Sequence, residues 1–481
     1  MGVAQGRLGG LEFNKSLRVE TVDTRLTTNA GAVPLREAME RSGLLEALEK
    51  KLIDPRDPKL ITHPLSELLA TRLALLALGH HDQDDADAFR ADVALRLAVS
   101  KRKGVAPLQY EPGELGEVPQ NPDVPHGLAS QPTLSRLSTT VATTENREVL
   151  HQELLDMEGR ILRSENGGRR AQGMTVDVDS LPINVYGEQP GSAYNGHYHH
   201  RIYHPLVAVI GDRKGAGSIV KVALREGNVH TAEGLQEFVL PLIDELEAKC
   251  CVVAGVRMDA GMPEDGILCA LEGRGTPYVA RVKNNAVLDR MAAPHLRRPP
   301  GRPPNYERAW FHELSYQAES WTRARRVVLV VLDRPDELYL HHFWLITNWT
   351  MEQIEGSDLL EHYRARGAGE GIIGELKSVL EPALSSSPRS GEKPCEAFAM
   401  NEATLLLNAL AYNLMNLLRR LLEQQTKEGW SVKRLRERAL RVAGRMVIHA
   451  RRPILSIDRA AARFWRWLLW GLTRMPVLHA A

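Results

Sequence analysis

The chain has 481 residues, 43% hydrophobic and 25% charged, which is the make-up of a soluble globular protein of several domains at roughly 100–200 residues each. No apolar run reaches the roughly 18 residues of a membrane-spanning helix, and the N-terminal MGVAQGRLGG has no signal-peptide core, so a cytoplasmic protein with no membrane partner is expected. The net charge of +1 conceals a basic stretch: Arg419 to Arg474 holds 15 Lys/Arg against 4 Asp/Glu, a net of +11 that leaves −10 elsewhere and suits a polyanion-facing surface.

Residues 1–165 read as a helical N-terminal region. Apolar residues recur at helical spacing over 34–51, 64–79 and 92–99. Residues 104–125 are rich in Pro and Gly and read as an exposed loop, after which Ser130 caps a helix opened by Gln131-Pro132. Over 166–290 the period changes. Residues 174–179 alternate as a short strand, and 202–210 and 218–224 follow as two more, with a turn at 211–217. A helix is expected over 231–249 with Thr231 as its cap, then a strand Cys251–Met258, a short helix over 264–271 and a strand Tyr278–Val282. Residues 291–350 read as a β-rich insertion, Pro-rich at 301–306 and strand-like over 326–332 and 337–346. Residues 351–395 carry a last core helix. A basic C-terminal region, 396–481, is expected to be helical over 397–425 and 431–475.

Three carboxylates stand where such a core opens: Asp179 ending the first strand, Asp259 ending the fourth, and Glu370 on the late helix. Phosphoryl transfer on DNA commonly uses two divalent metals about 3.5–4 Å apart. Mg2+ prefers oxygen ligands, so two or three converging carboxylates suffice. Asp177 shares the face of Asp179 and is the rival first ligand; Asp179 is favoured because it sits where the strand ends. Around Glu370, the spacing Tyr363-x2-Arg366-x3-Glu370-x6-Lys377 puts four side chains within about 60° of one another at about 100° per residue. Ile372, Ile373, Leu376 and Leu380 occupy the adjoining side, which can pack on a sheet. A solvated i,i+4 salt-bridge row would show the same pattern. Residues 369–374 also satisfy GxGxxG, but the dinucleotide motif needs a strand before it, and LLEHYRAR (359–366) is polar and helix-like.

This Tyr-Arg-Glu-Lys spacing resembles the YREK signature of DDE transposases from bacterial insertion sequences. The segment DVDSLPINVYGEQPGSAYNGHYHHRIYHPL (177–206) is similar to the first-aspartate region of the insertion sequence 1380 family, and RMDAGM (257–262) to its second-aspartate block. LALGHHDQDDADAFRAD (76–92) and LASQPTLSRL (128–137) resemble its N-terminal blocks, so the likeness spans residues 20–450. It implies an α/β catalytic core of RNase H-like type, a mixed five-stranded sheet, with a β-rich insertion and helical N- and C-terminal flanks that bind DNA. By position it makes Asp179, Asp259 and Glu370 the catalytic, metal-ligating trio for two Mg2+ ions, with Mn2+ as a substitute. It gives Tyr363, Arg366 and Lys377 to DNA-end phosphates. Relatives that cut through a DNA hairpin stack a tryptophan on a flipped base; Trp321, before Arg323, Arg325 and Arg326, is the candidate, and Trp310, Trp344 and Trp349 are read as core. The implied partners are double-stranded DNA, as the element's terminal inverted repeats and as target, and a second copy of the chain. The chain departs from the family at Ala368-Gly369, where a polar residue and Met are usual, and at Leu181, where Thr is common. An end-binding repressor without cleavage is therefore the alternative function, and a nuclease without strand transfer a third.

Other clusters read more simply. His197, His199, His200 and His204 form a turn and lack the ligand spacing of a zinc site. Asp82, Asp84, Asp85 and Asp87 lack the glycine and terminal glutamate of an EF-hand. Cys250, Cys251, Cys269 and Cys395 form no CxxC and read as reduced, mostly buried hydrophobes. Residues 297–302 read as an exposed basic loop, and Phe464, Trp465, Trp467 and Trp470 as the docking face of a C-terminal helix.

Overall fold

The protein's computed structural model describes residues 25–108, 127–212, 217–300, 305–335, 337–388 and 390–480. Among the described residues a short strand β1 (Arg25–Thr27) is followed by seven α-helices: α1 (Ala32–Arg41), α2 (Leu44–Lys51), α3 (Leu65–Leu78), α4 (Asp85–Ala88), α5 (Val93–Val99), α6 (Gln131–Val141) and α7 (Thr144–Glu165). The helix expected over 34–51 breaks at Gly43, whose φ of 70° suits glycine and separates α1 from α2. Most of the loop expected at 104–125 lies outside the described residues, as do the N-terminal ten and 301–304 of the Pro-rich segment.

The α/β part runs β2 (Ala171–Ser180), β3 (Ile183–Asn184), β4 (Ala193–Asn195), β5 (His200–Tyr203), β6 (Leu206–Gly211), β7 (Gly217–Ala223), α8 (Leu235–Lys249), β8 (Cys251–Met258), α9 (Asp265–Arg274), β9 (Tyr278–Val282) and α10 (Ala286–Ala292). Then follow β10 (Arg308–Tyr316), β11 (Arg325–Asp333), β12 (His341–Thr347), α11 (Gly356–Arg364) and α12 (Arg366–Ser378). The chain closes with α13 (Pro394–Thr426), α14 (Val432–Leu435), the hairpin β13 (Gly444–His449) and β14 (Arg452–Ile457), and α15 (Ala462–Arg474).

One mixed sheet of eight strands, in the order β10-β11-β12-β9-β8-β2-β6-β7, organises these elements. β2 runs antiparallel to β6 and parallel to β8, and β8 runs parallel to β9. β6, LVAVIG, is buried at every position, as in a strand covered on both faces. On one face Val176, Val178, Ala208 and Ile210 share a core with Val239, Leu242 and Ile243 of α8. On the other, Val207, Val209 and Ile219 pack with Ile372, Ile373 and Leu376 of α12 and with the middle of α13.

The sheet corrects the expected five strands to eight, because the segment read as an insertion adds β10, β11 and β12 to it. β12 pairs with β9 from Trp344↔Val282 to Thr347↔Val279, and the Thr347 hydroxyl donates to the Tyr278 carbonyl at 2.7 Å. β10 escaped the sequence reading because an edge strand, RAWFHELSY, is largely half-exposed and mixes polar with apolar residues. The strand expected over 202–210 splits at His204-Pro205, where proline has no N–H for the ladder, and β5 joins β3 and β4 in a small separate sheet. α8 starts at Leu235 rather than Thr231, with Gly234 at φ 71° as its cap. The long C-terminal helix expected over 431–475 gives way to the hairpin. Pro453 cannot continue a helix, and the β-branched Val447, Ile448 and Ile454 favour strands, β13 pairing with both β14 and β1. Among the described residues no helix is long and apolar enough to cross a membrane.

α13 is buried around most of its circumference, against α3, α7, α15 and β7. Where it meets the sheet's edge, Asn413 accepts from the Ile219 N–H at 3.1 Å and donates to the Ile219 carbonyl at 2.7 Å. Asn416 donates to the Gly217 carbonyl at 2.7 Å. Two side-chain amides thereby stand in for a further strand. Asn413→Leu should leave both Ile219 backbone groups unpaired in the core, and at about 1–3 kcal/mol each the urea unfolding midpoint is expected to fall markedly. An unchanged midpoint would show that the amide contributes nothing to the edge.

Candidate active site

The register of two parallel strands builds the site. Asp177 of β2 lies beside Arg257 of β8. The Arg257 Nε and Nη2 groups donate to the two Asp177 oxygens at 2.6 and 2.7 Å, and Nη1 donates to the His362 carbonyl at 2.9 Å. Arg257 is 0% exposed and Asp177 2%, so this bidentate pair is sealed from water. Side chains alternate along a strand. Two residues further on, Asp179 and Asp259 therefore reach the ends of the same two strands on the same face, the face that α12 covers.

The single helix expected through Tyr363 and Lys377 is two, broken at Ala365 (φ −61°, ψ −15°) between α11 and α12. Tyr363 belongs to α11 and packs against the core around Val279, Leu345 and Leu359. Arg366 opens α12 and is buried. Its Nη2 group donates to Asp179 Oδ2 at 2.7 Å, its Nη1 group pairs with Glu370 Oε1, and Nη1 lies 4.0 Å from Asp259 Oδ1. The i,i+4 ion pair of a salt-bridge row is thus present, but two aspartates from the sheet join it. Residues 369–374 lie inside α12 with no strand before them, which removes the dinucleotide reading.

Gly369 explains how α12 comes so close. A Cβ there would lie 2.8 Å from Asp177 Oδ2 and 3.0 Å from the Asp177 Cβ, so a larger residue has no room while Arg257 holds Asp177. The sequence departure at this position is a packing feature of this chain. Leu181, the other departure, is buried, and its N–H donates to the Pro205 carbonyl at 2.9 Å.

Burial pushes the Asp179 carboxyl above its ordinary value, further than Arg366 pulls it down, and the Asp259 and Glu370 charges add to the rise. Burial works to lower Arg366, yet Asp179 and Glu370 hold its guanidinium above its ordinary value. Tyr198, in the turn before β5, is raised by burial and then by Asp179 and Asp259, whose field reaches its phenol. The sequence reading missed Tyr198, and its position within the histidine-rich turn offered no distinguishing signal. It missed Arg257 too, although an arginine inside the apolar run CVVAGVRM requires a buried carboxylate.

The Asp259 and Glu370 side chains are 49% and 52% exposed. Among the described residues no three His, Cys, Asp or Glu side chains are gathered closely enough to hold one metal ion; Asp179, Asp259 and Glu370 are arranged around the Arg366 guanidinium instead. The donor set is nonetheless suited to a hard divalent cation. It is all oxygen, comes from three separate elements, and is already collected about one positive charge.

The remaining candidates lie elsewhere. Lys377 is exposed and lines a cleft of about 410 Å³ with Tyr186, Gln189 and Glu381, away from the acidic trio. Trp321 is 6% exposed, edge-on to Tyr316 at 5.5 Å and beneath the Arg325 guanidinium at 5.2 Å. Trp344 is fully buried, and Trp310 and Trp349 pack at core margins. Cys250 and Cys251 are buried as expected, whereas Cys395 is exposed and Cys269 half-buried; all four are free. In the basic loop, Arg298 is held by Asp333 at 2.9 Å, and 301–302 lie outside the described residues.

The chain matches the family described as transposase DDE domain, group 1, over residues 10–469, and it belongs to that family. No curated protein sequence matches it. Among solved structures it is similar to a piggyBac transposase in a synaptic complex with hairpin DNA, at a TM-score of 0.39 and 11% identity over 92% of this chain and 85% of that one.

Two sets of substitutions test the geometry. Asp177→Ala strands a buried guanidinium and should cost about 3–5 kcal/mol of stability, whereas Asp179→Asn should leave the protein folded; equal thermal shifts for the two would contradict the distinction. Gly371 and Gly374 have open space where a Cβ would go, so Gly374→Ala should stabilise α12 by about 1 kcal/mol. Gly369→Ala should instead destabilise it by about 1–3 kcal/mol through overpacking, and denaturant midpoints of the two variants should move in opposite directions.

Proposed function

We propose that the chain is a metal-dependent DNA transposase whose catalytic groups are Asp179, Asp259 and Glu370. The observation that carries this reading is the convergence of three carboxylates, from the ends of β2 and β8 and from α12, on a single cationic group. Family membership supports it. So does the run β7-β6-β2-β8-β9, which reads as an RNase H-like core when its strands are numbered 3-2-1-4-5 in chain order. Asp179 rather than Asp177 is the first ligand in this proposal, because Arg257 occupies both Asp177 oxygens. The finer likeness to the insertion sequence 1380 family, and with it inverted-repeat ends, a bacterial host, a cytoplasmic setting and a homodimeric synapse, belongs to the same proposal. Residues 1–165 and 396–481 are its DNA-binding flanks.

Asp179, Asp259 and Glu370 would hold two Mg2+ ions, or Mn2+ in their place. Bound there, the ions lower the pKa of water and neutralise charge on the phosphate oxygens undergoing displacement. The chain's own part is positional. The strand register aims Asp179 and Asp259 from one side and α12 aims Glu370 from the other. Arg366 and Tyr363 border the trio; with the carboxylates holding metal, the Arg366 N–H groups now given to Asp179 and Glu370 would be released to a DNA phosphate alongside the Tyr363 O–H, while Lys377, further along, offers a point charge to the strand beyond. In the first step a water oxygen bonds to phosphorus and the P–O3′ bond breaks; the water's proton is lost and O3′ is released as a hydroxyl. In the second, that 3′ oxygen attacks a target phosphate in line and the target's own 3′ oxygen leaves.

The test is cleavage of a supercoiled plasmid bearing the DNA that flanks the gene. Asp259→Asn should lose cleavage by about 10²-fold or more, the scale of removing one electrostatic contact in a preorganised site, while binding of the ends persists. Chelation should stop the wild-type reaction and Mg2+ restore it. Cleavage at the wild-type rate by Asp259→Asn would sink the assignment, and end binding without any cleavage by the wild type would favour the repressor.

A further inference from the structure

The hairpin β13–β14 carries charge and backbone features that the acidic site does not use. Its two-residue turn, Ala450-Arg451, has both φ angles positive, 49° and 61°. Such a tight hairpin turn favours Asn-Gly, since L side chains enter the left-handed region reluctantly. An arginine is therefore kept at the tip against the preference of the backbone, and strain of this kind marks functional positions.

The faces of the ribbon are sharply different at its base. Met446 and Leu455 point inward and pack with Val93, Leu97 and Leu108. The outward face presents the cross-strand pairs Arg445↔Ser456, Val447↔Ile454 and His449↔Arg452. Toward the tip both faces are open: Val447 is 39% exposed, Ile454 47% and Ile448, on the inward face, 36%. Arg445, Arg451 and Arg452 are exposed, and among the described residues none has a carboxylate within ion-pair distance. Asp458 is the sole acidic residue between Arg441 and Arg459.

We infer that β13–β14 is a DNA-contacting ribbon, its arginines seated on phosphates and its tip entering a groove of duplex DNA. This rests on the transposase reading above. Charge complementarity selects the partner, since three outward arginines without counter-ions suit a polyanion. Shape agrees, because the major groove of B-DNA admits a two-stranded β-ribbon. The apolar pair Val447↔Ile454 lies between the arginines, where thymine methyl groups offer apolar contact. The ribbon is also firmly mounted. β1 pairs with β13, and between α14 and the hairpin Arg436 donates to the Val379 carbonyl at 2.7 Å, just past the end of α12. A duplex held by the tip would therefore be fixed relative to the helix that carries Glu370.

The experiment uses the full chain and a fluorescein-labelled linear duplex, with affinity measured across a salt series. The variant Arg445→Gln, Ala450→Asn, Arg451→Gly, Arg452→Gln removes three charges while giving the turn the residues it favours, so the hairpin should persist and the unfolding temperature should hold or rise. Its affinity is expected to fall about tenfold to a hundredfold, and the slope of log affinity against log salt to drop by about two to three, at roughly 0.9 per phosphate contact. The triple Arg→Lys variant at the same positions should retain the wild-type slope. A wild type that binds the duplex, with the four-site variant matching it in affinity and slope, would overturn the ribbon inference and leave the transposase reading intact. A wild type that binds no duplex would overturn both. Loss of self-association in the four-site variant, with unchanged duplex binding, would assign the face to a second copy of the chain and overturn the DNA contact.

Discussion

A guanidinium with no solvent exposure holds together the parts that carry the candidate chemistry. Arg257 closes on Asp177 across the parallel β2–β8 pair and reaches the α11 backbone at His362. Neither charge can leave the other cheaply, because a buried ion without its partner costs several kcal/mol. The strand register is therefore locked, and with it the lateral placement of Asp179 and Asp259. A slip of β2 by one residue would turn Asp179 toward the α8 side of the sheet while Asp259 stayed in place. The same pair sets the height of α12, since Gly369 rests on the Asp177 carboxylate with no room for a methyl group. Four elements thus take their positions from one contact between two side chains.

The second ion network, around Arg366, has the opposite character. Arg366 is buried, but Asp259 and Glu370 are half exposed, so water screens their attraction to it. The inner network is sealed and bidentate; the outer one is open and made of single contacts. A frame that cannot rearrange, beneath charged groups that can exchange one cation for another, is what the function proposed above requires of this site. The inward push of burial on Asp179 works in the same sense, because it leaves that carboxylate in need of more positive charge than one guanidinium supplies.

What was legible in the sequence follows from how each signal arises. Strands buried on both faces announce themselves as unbroken or alternating apolar runs, and Cys251–Met258 and Tyr278–Val282 were placed to the residue. The spacing from Tyr363 to Lys377 was legible as one helical face, although the break at Ala365 was not, since Gly367 and the glycines after it weaken a helix without saying where it breaks. Contacts between distant elements stayed hidden. Nothing local says that β12 pairs with β9, so the sheet was read as five strands; nothing local says that Trp321 is roofed by Arg325. Gly369 is instructive because its sequence signature misleads. A glycine in a helix reads as weakened propensity, and here it marks the point of closest approach between helix and sheet.

Charge summed along the chain also needed the fold to acquire meaning. Part of the basic excess between Arg419 and Arg474 is turned largely away from solvent. Arg419 pairs with Glu375, Arg420 with Glu158, and Arg436, lowered to about 10 by burial, donates to the carbonyls of Ala77, Leu76 and Val379. Glu375 sits on α12 beyond Glu370, and it also accepts from the Tyr412 hydroxyl and the Val432 N–H. Arg419 and Arg436 tie the far end of α12 to α13 and to the turn after α14, and Arg420 ties α13 to α7. With them set aside, the exposed remainder without carboxylate partners among the described residues includes Arg438, Arg441, Arg445, Arg451, Arg452 and Arg459. Lys433 of α14 and Arg463, Arg466 and Arg474 of α15 are exposed without carboxylate partners as well, so the remainder runs from α14 through the hairpin into the last helix. A field is made by the charges that face water. For that reason the polyanion-facing surface suggested by the sequence narrows, once the fold is known, to the hairpin and the exposed cations of the helices on either side of it.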